Sequence, residues 1–244
     1  MRRPRRLNTG GALATLAILA AFFRAAPAED RLEPETGLLN STEWQIKYES
    51  RVRAVLFREA TTYYLARVVC LTAGDEGEWV VTVVRKCEGS HTPDHKDIYA
   101  LEYAGAEEYL QDRETVRGVK VKKARVDLDS ATAEAVEEVW RRMLRSARYP
   151  KKRRALVEDA ETFHFSRAVP VFHQGHEDPL YGFESGQAWA PSVAGGLTAE
   201  LIEIGKSMKA LAIARPEDRK RVGEEMNSKT VRLKALLDRS QPPD

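Results

Sequence analysis

The chain has 244 residues, 43% of them apolar and 31% charged, with 39 Lys+Arg against 37 Asp+Glu for a formal net charge of +2. That apolar content excludes a collagen-like, low-complexity or wholly disordered chain. A single continuously apolar segment excludes a membrane protein of many spans, and the length suits one large domain or one domain with an appendage.

The apolar segment belongs to a leader. Arg2, Arg3, Arg5 and Arg6 make a positive start, Gly10 to Phe23 is apolar, and Ala26-Pro27-Ala28 presents small side chains where a signal peptidase reads. These are the three parts of a secretory signal. As a helix the run would reach only about 21 Å, short of a hydrocarbon core of about 30 Å. The reading is therefore a signal peptide over 1–28, cleaved after Ala28, and a periplasmic or secreted product. An uncleaved leader would instead make an envelope-associated structural protein. The leader holds five of the arginines and no acid, so residues 29–244 carry 34 Lys+Arg against 37 Asp+Glu, a net of −3. A protein binding nucleic acid through bulk positive charge loses its support, so no nucleic-acid partner is expected. Membrane contact is expected only through the leader before cleavage.

Residues 29–40 read as a flexible lead-in. Asn40, three residues before Glu43, resembles a capping arrangement, and Trp44, Tyr48, Val52, Val55 and Leu56 recur at helical spacing, predicting a helix from about Ser41 to Arg58. Tyr64–Thr72 and Trp79–Lys86, flanking a loop with Gly74 and Gly77, predict a hairpin. Asp97–Tyr103 and Val116–Leu128 predict two further strands, the second alternating Val119 and Val121 with Lys120 and Lys122. Asp129 or Ser130 caps a helix whose apolar side is Val136, Val139, Trp140, Met143 and Leu144, and which stops before Pro150. Strand-like runs follow at Ala155–Val157 and Thr162–Val169; in the latter Phe163 and Phe165 share one face and His164 and Ser166 the other. Val171–Ser185 reads as irregular. Leu197–Ile213 predicts a helix with Leu201, Ile204, Met208 and Leu211 on one side, and Pro216 opens a last helix to about Asp238. Its stripe of Val222, Met226, Leu233 and Leu237 is narrow, which reads as a loosely attached, partner-docking helix. The fold class is α+β: a mostly antiparallel sheet with two packed amphipathic helices, plus an N-terminal helix and a charged C-terminal helix. The α+β domain is set at 41–214, and 215–244 as a helical appendage.

Four histidines are metal-ligand candidates: His91 and His95 around Asp94, and His173 and His176 before Glu177 and Asp178. Imidazoles and carboxylates are the donors zinc, copper or nickel would use if the two loops converged; no cofactor is otherwise expected, zinc being the candidate, and no catalytic residue is assigned. His164 and Ser166 on one strand face would stand about 7 Å apart, too far for direct proton transfer. His164, Gln187 and Trp189 are candidates for a ligand surface. Cys70 and Cys87 are the only cysteines. An oxidising compartment favours their pairing, whereas the hairpin would set Cys70 near Val81 and Cys87 near Tyr64, too far apart for a bond. Lys120–Arg125 and Lys151–Arg154 are basic runs suited to phosphate groups or anionic glycans, without the interleaved aromatics that stack bases.

The order of an acidic turn and an aromatic-His-aromatic strand (Asp159–Phe165), then Gly186-Gln187-Ala188-Trp189-Ala190-Pro191 and an amphipathic helix, all after a helix bearing Trp140, resembles a pattern in uncharacterised exported bacterial proteins. The resemblance spans Thr61–Leu211. It implies an exported α+β domain and no particular activity; Val171–Ser185 is longer than the pattern, and the Val222–Leu237 helix lies outside it. The leading expectation is a non-catalytic binding or interaction module with a protein or envelope partner. The alternative is a metal-dependent or hydrolytic enzyme using the two histidine loops.

Overall fold

In the computed structural model the described residues are 30–35, 43–57, 63–71, 77–88, 96–149, 161–171, 180–189 and 195–240. Six strands form one sheet: β1 (Ala66–Leu71), β2 (Trp79–Glu88), β3 (Lys96–Ala106), β4 (Val121–Leu128), β5 (Thr162–Val171) and β6 (Leu180–Trp189), in the order β4-β3-β2-β1-β5-β6. Every neighbouring pair is antiparallel. Among the described residues four helices join it: α1 (Glu43–Leu56), α2 (Ser130–Arg145), α3 (Leu197–Ile213) and α4 (Arg219–Ser240). The fold is α+β. The chain divides at Asp30 into two units, and everything from Arg31 onward lies in the second.

The centre of the sheet follows from its composition. β1 and the first half of β2 are runs of valine, with Val68, Val81 and Val83 wholly buried and Val69 and Val80 nearly so, as expected of strands covered on both faces. On one face Trp79, Leu101, Phe163 and Phe165 meet α2, α3 and α4 in the main core. α2 is capped by Asp129, whose carboxylate accepts from the Thr132 N–H at 2.8 Å, and that bond holds the Asp129 carboxyl below its ordinary 3.8. Its apolar side buries Val136, Val139, Trp140, Met143 and Leu144, and the Trp140 indole donates to the Arg67 carbonyl at 3.2 Å. α3 rests directly on β1: a Cβ built on Gly205 would stand 3.2 Å from Val68, so a larger residue would push the helix away.

Two expectations need correction. The stretch read as irregular from Val171 contains the first half of β6, which pairs with β5 from Leu180 opposite Val171 to Trp189 opposite Thr162. Gly182 and Gly186 break its alternation, and an edge strand tolerates them because only one side must pair. The terminal helix is part of the domain. Met226 and Leu233 are fully buried in the same core as Trp140, Leu237 nearly so. Its charges serve the packing: Arg232 reaches the buried Glu200 of α3 at 2.8 Å, and Lys229 reaches Ser207 at 2.9 Å. A narrow stripe suffices where a helix lies in the groove between two others.

Among the described residues, the opposite face is covered only in part. α1 lays Tyr48, Val52, Val55 and Leu56 over Val69, Val80, Ala104 and Ala106. It is pinned there by Glu78, a fully buried carboxylate that accepts from the Tyr48 hydroxyl at 2.7 Å and from the Leu110 N–H at 2.9 Å. Beyond the end of α1, no element among the described residues lies over the face.

Candidate functional site

The open face is built by register. Arg67 lies opposite Thr82, Thr82 opposite Glu102, and Glu102 opposite Arg125, so one row crosses four strands. Directly opposed residues project to the same side, and this row therefore gathers side chains from 67, 82, 102 and 125 on one surface. The next row toward α1 is Val69, Val80, Ala104 and Lys123. With Val55, Leu56 and Phe57 as its wall and Lys86 at the far end, this surface encloses a cleft of about 500 Å³.

Its electrostatics are lopsided. Arg67, Lys86, Lys123 and Arg125 line the cleft, and Glu102 is the one acid among its lining residues. Glu102 accepts from Arg125 at 3.0 Å and lies 3.6 Å from the Lys86 ammonium, so one carboxylate is shared between two cations. Arg67 is 7% exposed. Its Nε donates to the Thr82 hydroxyl at 3.2 Å, and its guanidinium lies 3.6 Å from the Tyr64 ring centroid and 5.0 Å from that of Phe57. Such stacking suits guanidinium, a weakly hydrated planar cation. Burial pushes the Arg67 group down from the ordinary guanidinium range, and a guanidinium stays charged near neutral pH. The arrangement can hold an anion by charge and by directed N–H donors in a partly dry recess.

A second hollow, lined by Glu138, Arg141, Arg142, Arg145, Ser146, Arg148 and Asp238, lies at the end of α2. There the charges are better matched: Arg142 bonds Asp238 at 2.6 Å and Arg141 pairs with Glu138. Arginines in the last turn also answer the helix dipole, a structural role in itself.

Of the residues singled out from sequence, Lys123 and Arg125 of the basic run line the cleft. His91, His95, His173 and His176, with Asp94, Glu177 and Asp178, lie outside the described residues, as do Lys151–Arg154 and residues 1–28. Among the described residues no group of three or more His, Cys, Asp or Glu is placed to hold a metal ion, and no helix is long and apolar enough to cross a membrane. His164 and Gln187 do come together: they are directly opposed across β5 and β6, with Trp189 two residues farther along β6, opposite Thr162. Gln187 is buried and its backbone pairs with Glu33, while His164 Nδ1 lies 3.0 Å from Glu35 Oε1. That bond holds the Glu35 carboxyl below its ordinary 4.5. The space beside His164 is only about 40 Å³, room for about one water. Ser166 shares a 3.1 Å hydrogen bond with the Tyr64 hydroxyl. Cys70 lies opposite Trp79 and Cys87 opposite Asp97, which sets them about 26 Å apart along β2 at the usual rise, so the register does not fit a bond between them.

The cleft residues that sequence reasoning passed over are Arg67, Thr82, Lys86 and Glu102. One signal was available: a cation inside the valine run Ala66–Leu71, in a strand apolar on both faces. No family model, no curated protein and no solved structure matches the chain.

Proposed function

We propose that this chain is an exported, non-catalytic binding module that takes an anionic ligand in the cleft between α1 and the open face of the sheet. The observation that carries the reading is that Arg67, Lys86, Lys123 and Arg125 line one cleft in which Glu102 is the one acid among the lining residues. Folding concentrates four cations that the sequence scatters over β1, β2 and β4. Cations gathered in one recess focus a positive field that attracts an incoming anion. The leader supports the export half of the reading: a positive start, a short apolar run and Ala26-Pro27-Ala28.

Thermal unfolding tests the ligand half directly. Sulfate at fixed ionic strength should raise the midpoint more than chloride does, because binding to the native state stabilises it by mass action. The Lys123→Glu, Arg125→Glu double variant should lose the saturable part of that difference, keeping only the general stabilisation that sulfate gives by exclusion; both side chains sit on an exposed strand. An undiminished sulfate effect in the double variant would refute the cleft as the site. N-terminal sequencing of the protein recovered from outside the cytoplasm tests export, with Glu29 expected as the first residue.

A further inference from the structure

The open face carries a second feature beside the cleft. Tyr64, buried just ahead of β1, holds the Arg67 guanidinium against its ring, and the Phe183 ring lies 5.9 Å from it at an interplanar angle of 17°. Phe183 projects from edge strand β6, opposite Ala168, and is 58% exposed. A ring held by stacking on a buried neighbour is a rigid platform, and covering its outer side costs little conformational entropy. Between this ring and the cations, the row of Arg67 continues across β5 and β6 through Ser166 and Ser185. Cations, then hydroxyls, then an exposed ring thus follow one another across a single sheet face.

Resting on the reading of the cleft as an anion site, we propose that the ligand is an acidic polysaccharide, a chain of sugar rings bearing carboxylates. One sugar ring would lie on Phe183, and a carboxylate several rings farther along the chain would enter the cleft, since Phe183 and Arg125 stand on the two edge strands, about 24 Å apart at the usual strand spacing. The apolar face of a sugar ring suits an aromatic platform, and its hydroxyls suit serine hydroxyls and the Glu102 carboxylate as hydrogen-bond partners. Single-stranded nucleic acid fits less well, since its binding tracks a continuous cationic groove and stacks successive bases on aromatic rings. Here the cations cluster at one end, Glu102 sits among them, and residues 29–244 carry a net charge of −3.

The test titrates the purified full chain with four probes: a uronic-acid oligosaccharide, its carboxyl-reduced neutral counterpart, inorganic sulfate and an oligothymidylate. The oligosaccharide should bind at least about tenfold more tightly than its neutral counterpart and more tightly than sulfate, as a multi-point ligand must. Phe183→Ala should weaken the oligosaccharide about tenfold and leave sulfate unchanged, given what a stacked aromatic contact contributes. Circular dichroism would verify folding of this surface variant. Sulfate binding with no effect of Phe183→Ala on the oligosaccharide would overturn the sugar-chain proposal and leave the cleft standing. An oligosaccharide no tighter than its neutral counterpart would overturn it too. Oligothymidylate binding more tightly than the oligosaccharide would replace it with a nucleic-acid ligand. No binding of either sulfate or oligosaccharide would overturn the cleft itself.

Discussion

The two faces of the sheet use the same strands for opposite ends. On the face covered by α2, α3 and α4, the side chains are Trp79, Leu101, Phe163 and Phe165, closed by Trp140, Ile204, Met208 and Leu233. On the other, α1 covers the valines near Glu78, and the surface then passes to Arg67, Thr82, Glu102 and Arg125. Alternation along a strand assigns successive residues to these two environments, so Arg67 and Val68 are adjacent in sequence and opposite in role. The closed face holds the protein together, and the open face gathers charged and polar side chains along one cleft. This contrast separates stability from ligand affinity by mutation.

The largest effects belong to the closed face. Phe165 is fully buried, edge-on to Trp140 at 5.6 Å, and Phe165→Ala should cost about 3–5 kcal/mol in denaturant unfolding. Leu233→Ala should cost about 2–5 kcal/mol; a near-zero value would return α4 to the status of an appendage. Under α1, on the less covered face, Tyr48→Phe removes a donor from buried Glu78 and should cost about 1–3 kcal/mol. On the open face, Lys123→Glu should move stability by less than about 0.5 kcal/mol while weakening anion binding. A large loss of stability there would erase the contrast.

The smallest effect concerns pH. Because the Glu35 carboxyl titrates below its ordinary 4.5, chiefly through the hydrogen bond with His164, its contribution to stability is present above 4.5 and is lost as pH falls through the folded value. Glu35→Gln should be less stable than the parent at neutral pH and should show a shallower decline on acidification. Parallel pH profiles for the two would dissociate the pair from stability.

The parts of the fold legible in sequence were those with a strong period. α2 and α3 follow the 3.6-residue repeat over their full length, and the Val-rich hairpin has its loop signal. β6 was hidden because Gly182 and Gly186 interrupt its pattern, and Tyr181 and Phe183 have the β-propensity without the alternation. α4 was misjudged because its narrow stripe reports contact width rather than attachment. The cleft was only half legible. Lys123 and Arg125 stood out as a basic run, but Arg67, Thr82 and Glu102 are joined to them by register across four strands, which no local pattern encodes. The same holds for Phe183 and Tyr64, far apart in sequence and stacked in the fold.

The most direct test of the central claim is an amide chemical-shift map recorded as sulfate is added to the isotopically labelled protein. Binding in the cleft predicts saturable shifts at Arg67, Thr82, Lys86, Glu102 and Arg125, with α2, α3 and α4 unmoved. Shifts gathered instead at Arg141, Arg145 and Arg148, around the hollow at the end of α2, would contradict it.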